Sequence, residues 1–186
     1  MEITPGKIKL DRELSELDKF AISFCKAINR LTPYVIVSGY VSILLGRTRG
    51  SEDIDMLIPE MLKNEWEDIH KALEKAGYEC INAGVHESFS YLNDNIAVRF
   101  ALKGKPIPNM EILLATNKIQ RVALETSIAA IVGKDKIIIS NLELQIAYKE
   151  NVLKSPKDME DARHLRQILG KAINMKKLKE YEVMLK

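Results

Sequence analysis

The sequence is poor in the residues that build disulfide scaffolds and zinc sites. It has only two cysteines and three histidines. Cys25 and Cys80 lie among apolar neighbours without C-x-x-C spacing, which predicts two buried thiols in a reducing compartment. His70, His86 and His164 are not at zinc-ligand spacing and are expected on a helix surface, in a loop and in a helix, respectively. Zinc chemistry is therefore not expected.

Long apolar runs and an excess of one charge are also missing. No stretch approaches the ~18 apolar residues of a membrane span, and residues 1–12 lack the apolar core of a secretory signal. Basic residues number 28 against 26 acidic ones, a net charge of +2, which argues against a dedicated nucleic-acid coat. We expect a cytoplasmic protein that does not bind membranes.

Three common nucleotide and hydrolase motifs are absent as well. The chain contains no G-x-x-x-x-G-K-[ST], no G-x-G-x-x-G and no G-x-S-x-G. These absences argue against P-loop, dinucleotide-binding and serine-hydrolase functions.

What the chain does have is the composition of one folded domain. Apolar residues make up 46% and charged residues 29% of its 186 residues, the balance of an ordinary globular protein. The order of strand-like and helical segments predicts an α/β (α+β) fold. We expect a small mixed sheet covered by helices in residues 1–140, and a C-terminal helical segment, residues 141–186, packed on that core.

Apolar periodicity and turn residues give the expected element boundaries. Helices are predicted at about 14–31, 40–45, 59–76, 142–152, 156–169 and 175–186, and a helix or an irregular segment at 117–125. Strands are predicted at about 34–37, 53–58, 79–82, 88–92, 96–102 and 110–114, and a hairpin at 128–132 and 137–139. Gly77 is placed to end the third helix, and Ser155-Pro156 to begin the sixth.

Two aspartates separated by one residue are the strongest chemical signal in the chain. Asp53 and Asp55 are on a predicted strand, so that both side chains leave one face while Ile54 points to the core. Paired carboxylates supply the oxygen ligands that Mg²⁺ or Mn²⁺ takes, and such a site supports in-line displacement at a phosphate. The alternative is that both aspartates are surface residues without function.

A second group of residues lies upstream, where a predicted strand gives way to a helix. Ser38 and Gly39 occupy this turn, and a glycine there lets backbone amides approach a phosphate. Arg47, Arg49 and Ser51 follow in a loop and can add charge-assisted hydrogen bonds to the same anion. The alternative for the two arginines is a solvated loop.

These motifs resemble those of the nucleotidyltransferase superfamily that includes DNA polymerase β. Its signature is a hydrophobic residue, G-[GS], a short helix and then D-h-[DE]-h. The matching residues here are Val37-Ser38-Gly39 and Asp53-Ile54-Asp55-Met56, with Ser38 where the family more often has its first glycine. The stretches YVIVSGYVSILLGRTRGSEDIDMLI, LQIAYKENVL and SPKDMEDARHL are most similar to small prokaryotic members, including the toxin domain of some abortive-infection systems.

The resemblance implies further site residues. The family uses a third carboxylate on a later strand as metal ligand and general base, and Glu111 is the best match. Its alternative is an ordinary strand glutamate facing water. Asp94 is the rival, although its Asn-Asp-Asn setting is typical of a turn.

Four residues of the C-terminal segment resemble helical positions that complete the site in the small prokaryotic members. They are Lys149, Lys157, Asp158 and Asp161. The resemblance implies that the lysines contact phosphate or base. From the residues alone a solvated helix face is an equal alternative, with Lys157 and Asp161 as an i, i+4 pair and Asp158 supporting the helix cap.

The resemblance also implies an activity. We expect transfer of an NMP from an NTP to an acceptor hydroxyl of RNA, protein or a small molecule, with Mg²⁺ or Mn²⁺ as cofactor and pyrophosphate as leaving group. The C-terminal segment would close over the nucleotide. Two further hypotheses are the toxin of a toxin–antitoxin pair, with an antitoxin as partner, and a nucleotide-binding regulatory module without turnover.

Overall fold

The computed structural model describes all residues, 1–186, as one mixed sheet with surrounding helices. The strands are β1 (Glu2–Thr4), β2 (Lys7–Leu10), β3 (Val35–Ile36), β4 (Asp53–Ile58), β5 (Tyr78–Cys80), β6 (Val98–Leu102), β7 (Lys105–Leu114), β8 (Ile128–Val132) and β9 (Asp135–Ile139). The α-helices are α1 (Glu16–Ile28), α2 (Ser38–Leu44), α3 (Lys63–Lys75), α4 (Val85–Asn93), α5 (Lys118–Glu125), α6 (Leu142–Tyr148), α7 (Pro156–Leu169) and α8 (Met175–Met184). A π-helical turn, Lys149–Leu153, continues α6. None of the helices combines the length and apolar character that crossing a bilayer requires.

The nine strands form a single sheet in the order β1-β2-β8-β9-β3-β4-β7-β6-β5. The pairs β2/β8, β3/β9 and β4/β7 are parallel, and the other pairs are antiparallel. The register of β4 and β7 runs from Asp53 opposite Asn109 to Ile58 opposite Leu114. The expected α/β fold with a mixed sheet is confirmed, and β4 begins and ends where the sequence predicts.

The central strands alternate between a core face and an opposite face. The core-facing residues of β4 and β7 are fully buried, and they are Ile54, Met56, Met110 and Ile112. Phe24 of α1 and Trp66 of α3 belong to the same apolar cluster. Because strand side chains alternate with a period of two, the odd-numbered residues of both strands lie together on the other face.

Turn and cap residues act largely as predicted. Gly77 ends α3 with a φ of 94°, a backbone conformation that favours glycine. Ser155 caps α7 by accepting a hydrogen bond from the Asp158 amide, and Pro156 is in the first turn. The predicted hairpin is present as β8 and β9 and turns at Gly133.

Several sequence predictions about elements are wrong. Residues 88–92, predicted as a strand, lie in α4 because Ser88 and Leu92, four residues apart, share its buried face. Trp66 Nε1 donates to the Ser88 hydroxyl at 2.8 Å and holds this helix against α3. The sequence reading also placed the start of α3 at Pro59 instead of Lys63, and it missed β1 and β2. Strand β2 pairs with the distant β8, and β1 pairs with β2; local periodicity does not reveal such pairing.

Two histidines and one cysteine also differ from expectation. His70 is buried instead of surface-exposed; its ring is edge-on to Phe100 at a centroid distance of 5.0 Å, and burial lowers its pKa. His86 lies in α4, not in a loop. Cys25 is buried as predicted, whereas Cys80 is only half-buried.

A buried carboxylate fixes the start of α1 against α2. Asp18 is fully buried and accepts from the amide and the hydroxyl of Ser15, which completes a capping box. The same carboxylate pairs with Arg12 at 2.5 Å and accepts from the Tyr40 hydroxyl at 2.8 Å. Burial and, next, the Asp18 charge raise the pKa of Tyr40. This cluster positions α2, whose first residues are Ser38 and Gly39.

Replacing Tyr40 by Phe is expected to lower the free energy of unfolding by about 1.5–3 kcal/mol, because a buried carboxylate loses a hydrogen-bond donor. Urea denaturation measures the change. Tyr181→Phe is the matched control, since Tyr181 of α8 is also buried but its hydroxyl has no hydrogen bond to the protein; its change should stay within about 0.5 kcal/mol. Equal losses in both variants would contradict a stabilising role for the Tyr40–Asp18 bond.

Candidate active site

Four oxygen-bearing side chains share the exposed face of β4 and β7. The parallel register pairs Asp53 with Asn109 and Asp55 with Glu111. Because side chains two residues apart leave the same face of a strand, all four lie on the face opposite to the apolar core. Asp53 is exposed, whereas Asp55 and Glu111 are half-buried. The fold thus brings the two predicted carboxylates of β4 next to the predicted third one on β7.

The carboxyl group of Asp55 lies in an unfavourable environment for a negative charge. Burial raises the pKa of Asp55 to about 6, and the Ser38 side chain acts against this rise. The charges of Glu111 and Asp53 raise this pKa further, whereas Lys149 lowers it. Like charges close to a half-buried carboxylate disfavour its ionised form. A cation or a hydrogen-bond donor at this face would relieve that repulsion.

Glu111 is held by an arginine on the neighbouring strand. Arg99 of β6 lies opposite Glu111 of β7, and its Nε is 2.7 Å from Glu111 Oε1, which makes the two side chains an ion pair. As the side chains stand, no group of three carboxylate, histidine or cysteine side chains is close enough to share a metal ion. The role of Glu111 as third ligand or base therefore remains a prediction. Asp94, the other candidate for the third carboxylate, lies in the turn that ends α4.

The donor atoms on this face fit a hard divalent cation. Asp53 and Asp55 provide carboxylate oxygens, the ligand type that Mg²⁺ and Mn²⁺ prefer. Asn109, opposite Asp53, has a buried side-chain oxygen that accepts no hydrogen bond. Ser51 donates to the Asp53 backbone oxygen at 3.0 Å and to its carboxylate at 3.1 Å. Ser51, predicted as an anion contact, thus orients Asp53.

The Ser38–Gly39 turn is packed against an arginine. Ser38 has a φ of 62°, in the left-handed region, and Gly39 is buried. A Cβ on Gly39 would lie 2.9 Å from Cζ of Arg49 and closer still to its Nη2. Residue 39 must therefore lack a side chain for this guanidinium to lie on the turn. The sequence predicted that a phosphate could approach this turn. In the structure the Arg49 guanidinium lies on it.

Arg49 has no close counter-ion although it is largely buried. Its side chain is 12% exposed, and its nearest acidic atom is Asp161 Oδ1, 3.9 Å from Nε. Nε makes no hydrogen bond. A desolvated charge with unmet hydrogen-bonding capacity is costly unless a partner binds. Arg49 is thus available to an anion beside the Asp53–Asp55 pair.

The C-terminal helices are joined to this loop by buried charges. Lys149, in the π-helical turn, is fully buried, and its Nζ donates to Asp161 Oδ2 at 2.9 Å and to Asp158 Oδ1 at 3.2 Å. Asp161, also fully buried, accepts from Arg47 through its other oxygen. Arg47 in addition contacts Glu160 at 2.6 Å. We call Lys149, Asp158, Asp161 and Arg47 the Asp161 network.

The Asp161 network corrects two alternatives from the sequence. Lys149 and Asp161 are not on a solvated helix face, and Arg47 is not a free loop charge. Lys157 is exposed and does not pair with Asp161; only its backbone oxygen takes part, accepting from Arg47 at 3.0 Å. Asp158 does support the cap, as proposed, since it bonds with Ser155.

A small pocket lies beside Asp55, and apart from Ser38 and Asp55 its lining contains none of the predicted site residues. We call this cavity of about 240 Å³ the side pocket. It lies between the site face of the sheet and helices α5 and α6. Its lining includes Ser38, Asp55, Leu113, Ile119, Gln145 and Tyr148.

Four residues of this region were not predicted from the sequence: Arg99, Asn109, Gln145 and Tyr148. Asn109 was within reach, because it lies two residues before Glu111 on the same predicted strand face. Gln145 was also predictable, because it is a polar residue three positions after the apolar Leu142, on the same face of the predicted helix 142–152. No local signal marks Arg99 as the partner of Glu111.

No protein-family model and no curated protein sequence matches the chain. Among solved structures, an antigenic nucleotidyltransferase-like protein from Paracoccidioides brasiliensis is similar, with a TM-score of 0.59 and 16% identity over 91% of this chain and 87% of that one. The crystal structure of ANT(2'')-Ia in complex with adenylyl-2''-tobramycin has a TM-score of 0.53 and 15% identity, over 88% and 92%. The solution structure of the antibiotic-resistance factor ANT(2'')-Ia has a TM-score of 0.51 and 16% identity, over 88% and 86%.

At identities this low, structural similarity indicates a common fold but does not identify the substrate. The similarity covers most of each chain. On this evidence, the chain has a nucleotidyltransferase-like fold.

Proposed function

We propose that this protein is a nucleotidyltransferase that moves an NMP from an NTP to an acceptor hydroxyl in the cytoplasm. One observation carries the proposal: Arg49, a largely buried cation whose nearest carboxylate oxygen is 3.9 Å from Nε, lies on the Ser38–Gly39 turn. This turn begins α2, and Ser38 acts on the Asp55 carboxylate. Anion-binding and cation-binding groups thus lie side by side, as a metal-bound triphosphate requires.

The triphosphate is proposed to bind at the Ser38–Gly39 turn. Arg49 contributes a planar guanidinium, which suits phosphate oxygens. Lys149 is near enough to Asp55 to lower its pKa and adds positive charge from the C-terminal side. Arg47 and Lys157 flank the outer edge of the same loop. Residues 141–186 are proposed to form the segment that closes over the nucleotide.

Asp53 and Asp55, with Asn109 as a further oxygen donor, would hold Mg²⁺ or Mn²⁺. When bound, the ion would neutralise triphosphate charge and polarise the phosphoryl oxygen. Glu111 accepts the proton of the acceptor hydroxyl, and Arg99 keeps its carboxylate in place. A bond forms between the acceptor oxygen and the α-phosphorus while the bond to the β-phosphate oxygen breaks, and pyrophosphate leaves.

A small hydroxyl compound is the acceptor class with most support. ANT(2'')-Ia, similar in fold, is known in complex with adenylyl-2''-tobramycin, whereas RNA and protein acceptors rest on the sequence resemblance alone. The same holds for the toxin hypothesis and its antitoxin partner. Growth arrest on expression, relieved by a neighbouring gene product, would favour the toxin.

A nucleotide-binding module without turnover is the second candidate function. The Arg99–Glu111 ion pair favours it, because a carboxylate held by a guanidinium is less free to turn towards an acceptor hydroxyl. Tight binding of an NTP without release of pyrophosphate would identify such a module.

The proposal predicts label transfer from an α-labelled NTP in the presence of Mg²⁺ or Mn²⁺. Total RNA, lysate protein and small hydroxyl compounds serve as acceptors, and pyrophosphate release is measured in parallel. Asp53→Asn and Asp55→Asn should each lower the rate more than about 100-fold. Glu111→Gln should lower it about 10²–10⁴-fold, as for loss of a general base.

Asp94→Asn is the matched control for these three variants, since Asp94 is exposed at the end of α4, and it should retain the wild-type rate. Absence of transfer to any acceptor, or equal rates in the Asp53 and Asp55 variants and the wild type, would contradict the proposed activity. Transfer that survives in Glu111→Gln would remove only the role of that residue.

Arg49 generates a separate prediction through Gly39. In Gly39→Ala the new methyl group would overlap the guanidinium, so Arg49 must leave the turn. We expect the KM for the NTP to rise about tenfold, because one charge-assisted hydrogen bond is lost. The Tm should change little, because an arginine side chain can move. Arg49→Ala should have a similar effect, and the double variant should be no worse than either single one.

Gly84→Ala is the control for the glycine substitution, because a Cβ at Gly84 would meet nothing nearer than 3.8 Å. Steady-state kinetics with varied NTP measures the effect. Additive losses in the double variant would show that Gly39 acts independently of Arg49.

A further inference from the structure

We propose that the side pocket binds the nucleobase of the NTP and that Gln145 reads the edge of that base. The inference rests on the proposed function and adds a specificity determinant to it. Three observations carry it: the size of the pocket, the unpartnered side chain of Gln145 and the position of the pocket relative to the carboxylates.

The volume of the side pocket suits one flat ring system. It measures about 240 Å³, below the ~300–1,000 Å³ of pockets that enclose whole drug-sized ligands. Its walls are mainly apolar, with Leu113 from β7 and Ile119 from α5, and Tyr148 adds an aromatic ring. Bases bind well to such surfaces, because stacking on an aromatic side chain does not depend on the hydrogen-bonding pattern of the base.

Gln145 is a polar side chain in this lining without a partner in the protein. The residue is 5% exposed, and its amide group makes no hydrogen bond to another residue. Neither amide atom is fully shielded, since Gln145 is not among the residues with buried unsatisfied atoms. A buried amide is normally hydrogen-bonded. Its oxygen and NH₂ group can accept from and donate to one base edge at the same time.

The position of the side pocket favours the nucleobase over the acceptor. Its lining includes Ser38 and Asp55 but not Glu111. In an in-line displacement the acceptor approaches opposite the leaving pyrophosphate, and its hydroxyl must reach the proposed base, Glu111. The nucleoside stays bonded to the α-phosphate through an oxygen that lies to one side of that line. A pocket that touches the phosphate turn and Asp55, away from Glu111, therefore fits the nucleoside.

Equilibrium binding tests the inference independently of turnover. Isothermal titration calorimetry of the full chain with Mg²⁺ gives the Kd for ATP, GTP, CTP and UTP, and for inorganic tripolyphosphate as a probe without a base. The wild type should prefer one NTP about tenfold or more over the least favoured one. Gln145→Leu should abolish this preference by weakening the affinity for the preferred NTP about tenfold. Binding of tripolyphosphate should be unchanged.

Two more variants distinguish hydrogen bonding to the base from stacking on it. Gln145→Glu conserves the shape but removes the donor, so the base preference should change instead of merely weakening. Tyr148→Leu should weaken all four NTPs by a similar factor, on the order of tenfold, without affecting tripolyphosphate. Gln167→Leu is the matched control, since Gln167 is exposed on α7, and thermal unfolding verifies that each variant folds.

The outcomes separate this inference from the proposed function. Equal Kd values of the wild type for all four NTPs, or an unchanged preference in Gln145→Leu, would overturn the nucleobase pocket alone. A Gln145→Leu variant that alters the KM of the acceptor but not the NTP preference would assign the pocket to the acceptor. No binding of any NTP or of tripolyphosphate would overturn both.

Discussion

The buried carboxylate of Asp161 is the interaction on which the arrangement of the site depends. It lies on α7 but accepts from Arg47 of the loop before β4 and from Lys149 after α6, and its oxygens are shielded from water. Removing one partner of such a group leaves an uncompensated buried charge, which is strongly unfavourable. The loop that carries Arg49 is therefore tied to the C-terminal helices.

The charged side chains around the carboxylates have a definite arrangement. Asp55 experiences the negative charges of Asp53 and Glu111, and Lys149 offsets part of them. Arg99 pairs with Glu111 on one side, while Arg49 faces the Ser38–Gly39 turn on the other. The site thus has acidic residues at its centre and cations at its edges. An anion carrying a divalent cation is complementary to this distribution.

The π-helical turn after α6 explains how Lys149 reaches the network. A regular helix was expected over 142–152, but the chain widens at Lys149–Leu153, and Lys154 adopts a φ of 55° before α7 begins. Such turns are uncommon and often occur at functional sites. Helix α6, which leads into this turn, carries Gln145 and Tyr148 of the side pocket. The buried charges and the proposed base site are therefore consecutive along the chain.

Local sequence patterns predict the local units: the β4 strand with Asp53 and Asp55 on one face, the turn at Ser38 and the cap at Ser155. These follow from alternation, turn chemistry and capping, which act over a few residues. Only the tertiary structure decided that Arg49 lies on Gly39, that Arg99 holds Glu111, and that Lys149 is buried with Asp161. Arg47 and Asp161 are 114 positions apart, and no local periodicity links residues at that separation. Such pairs form because a charge removed from water needs a partner, and the sheet and the C-terminal helices decide which partner is near.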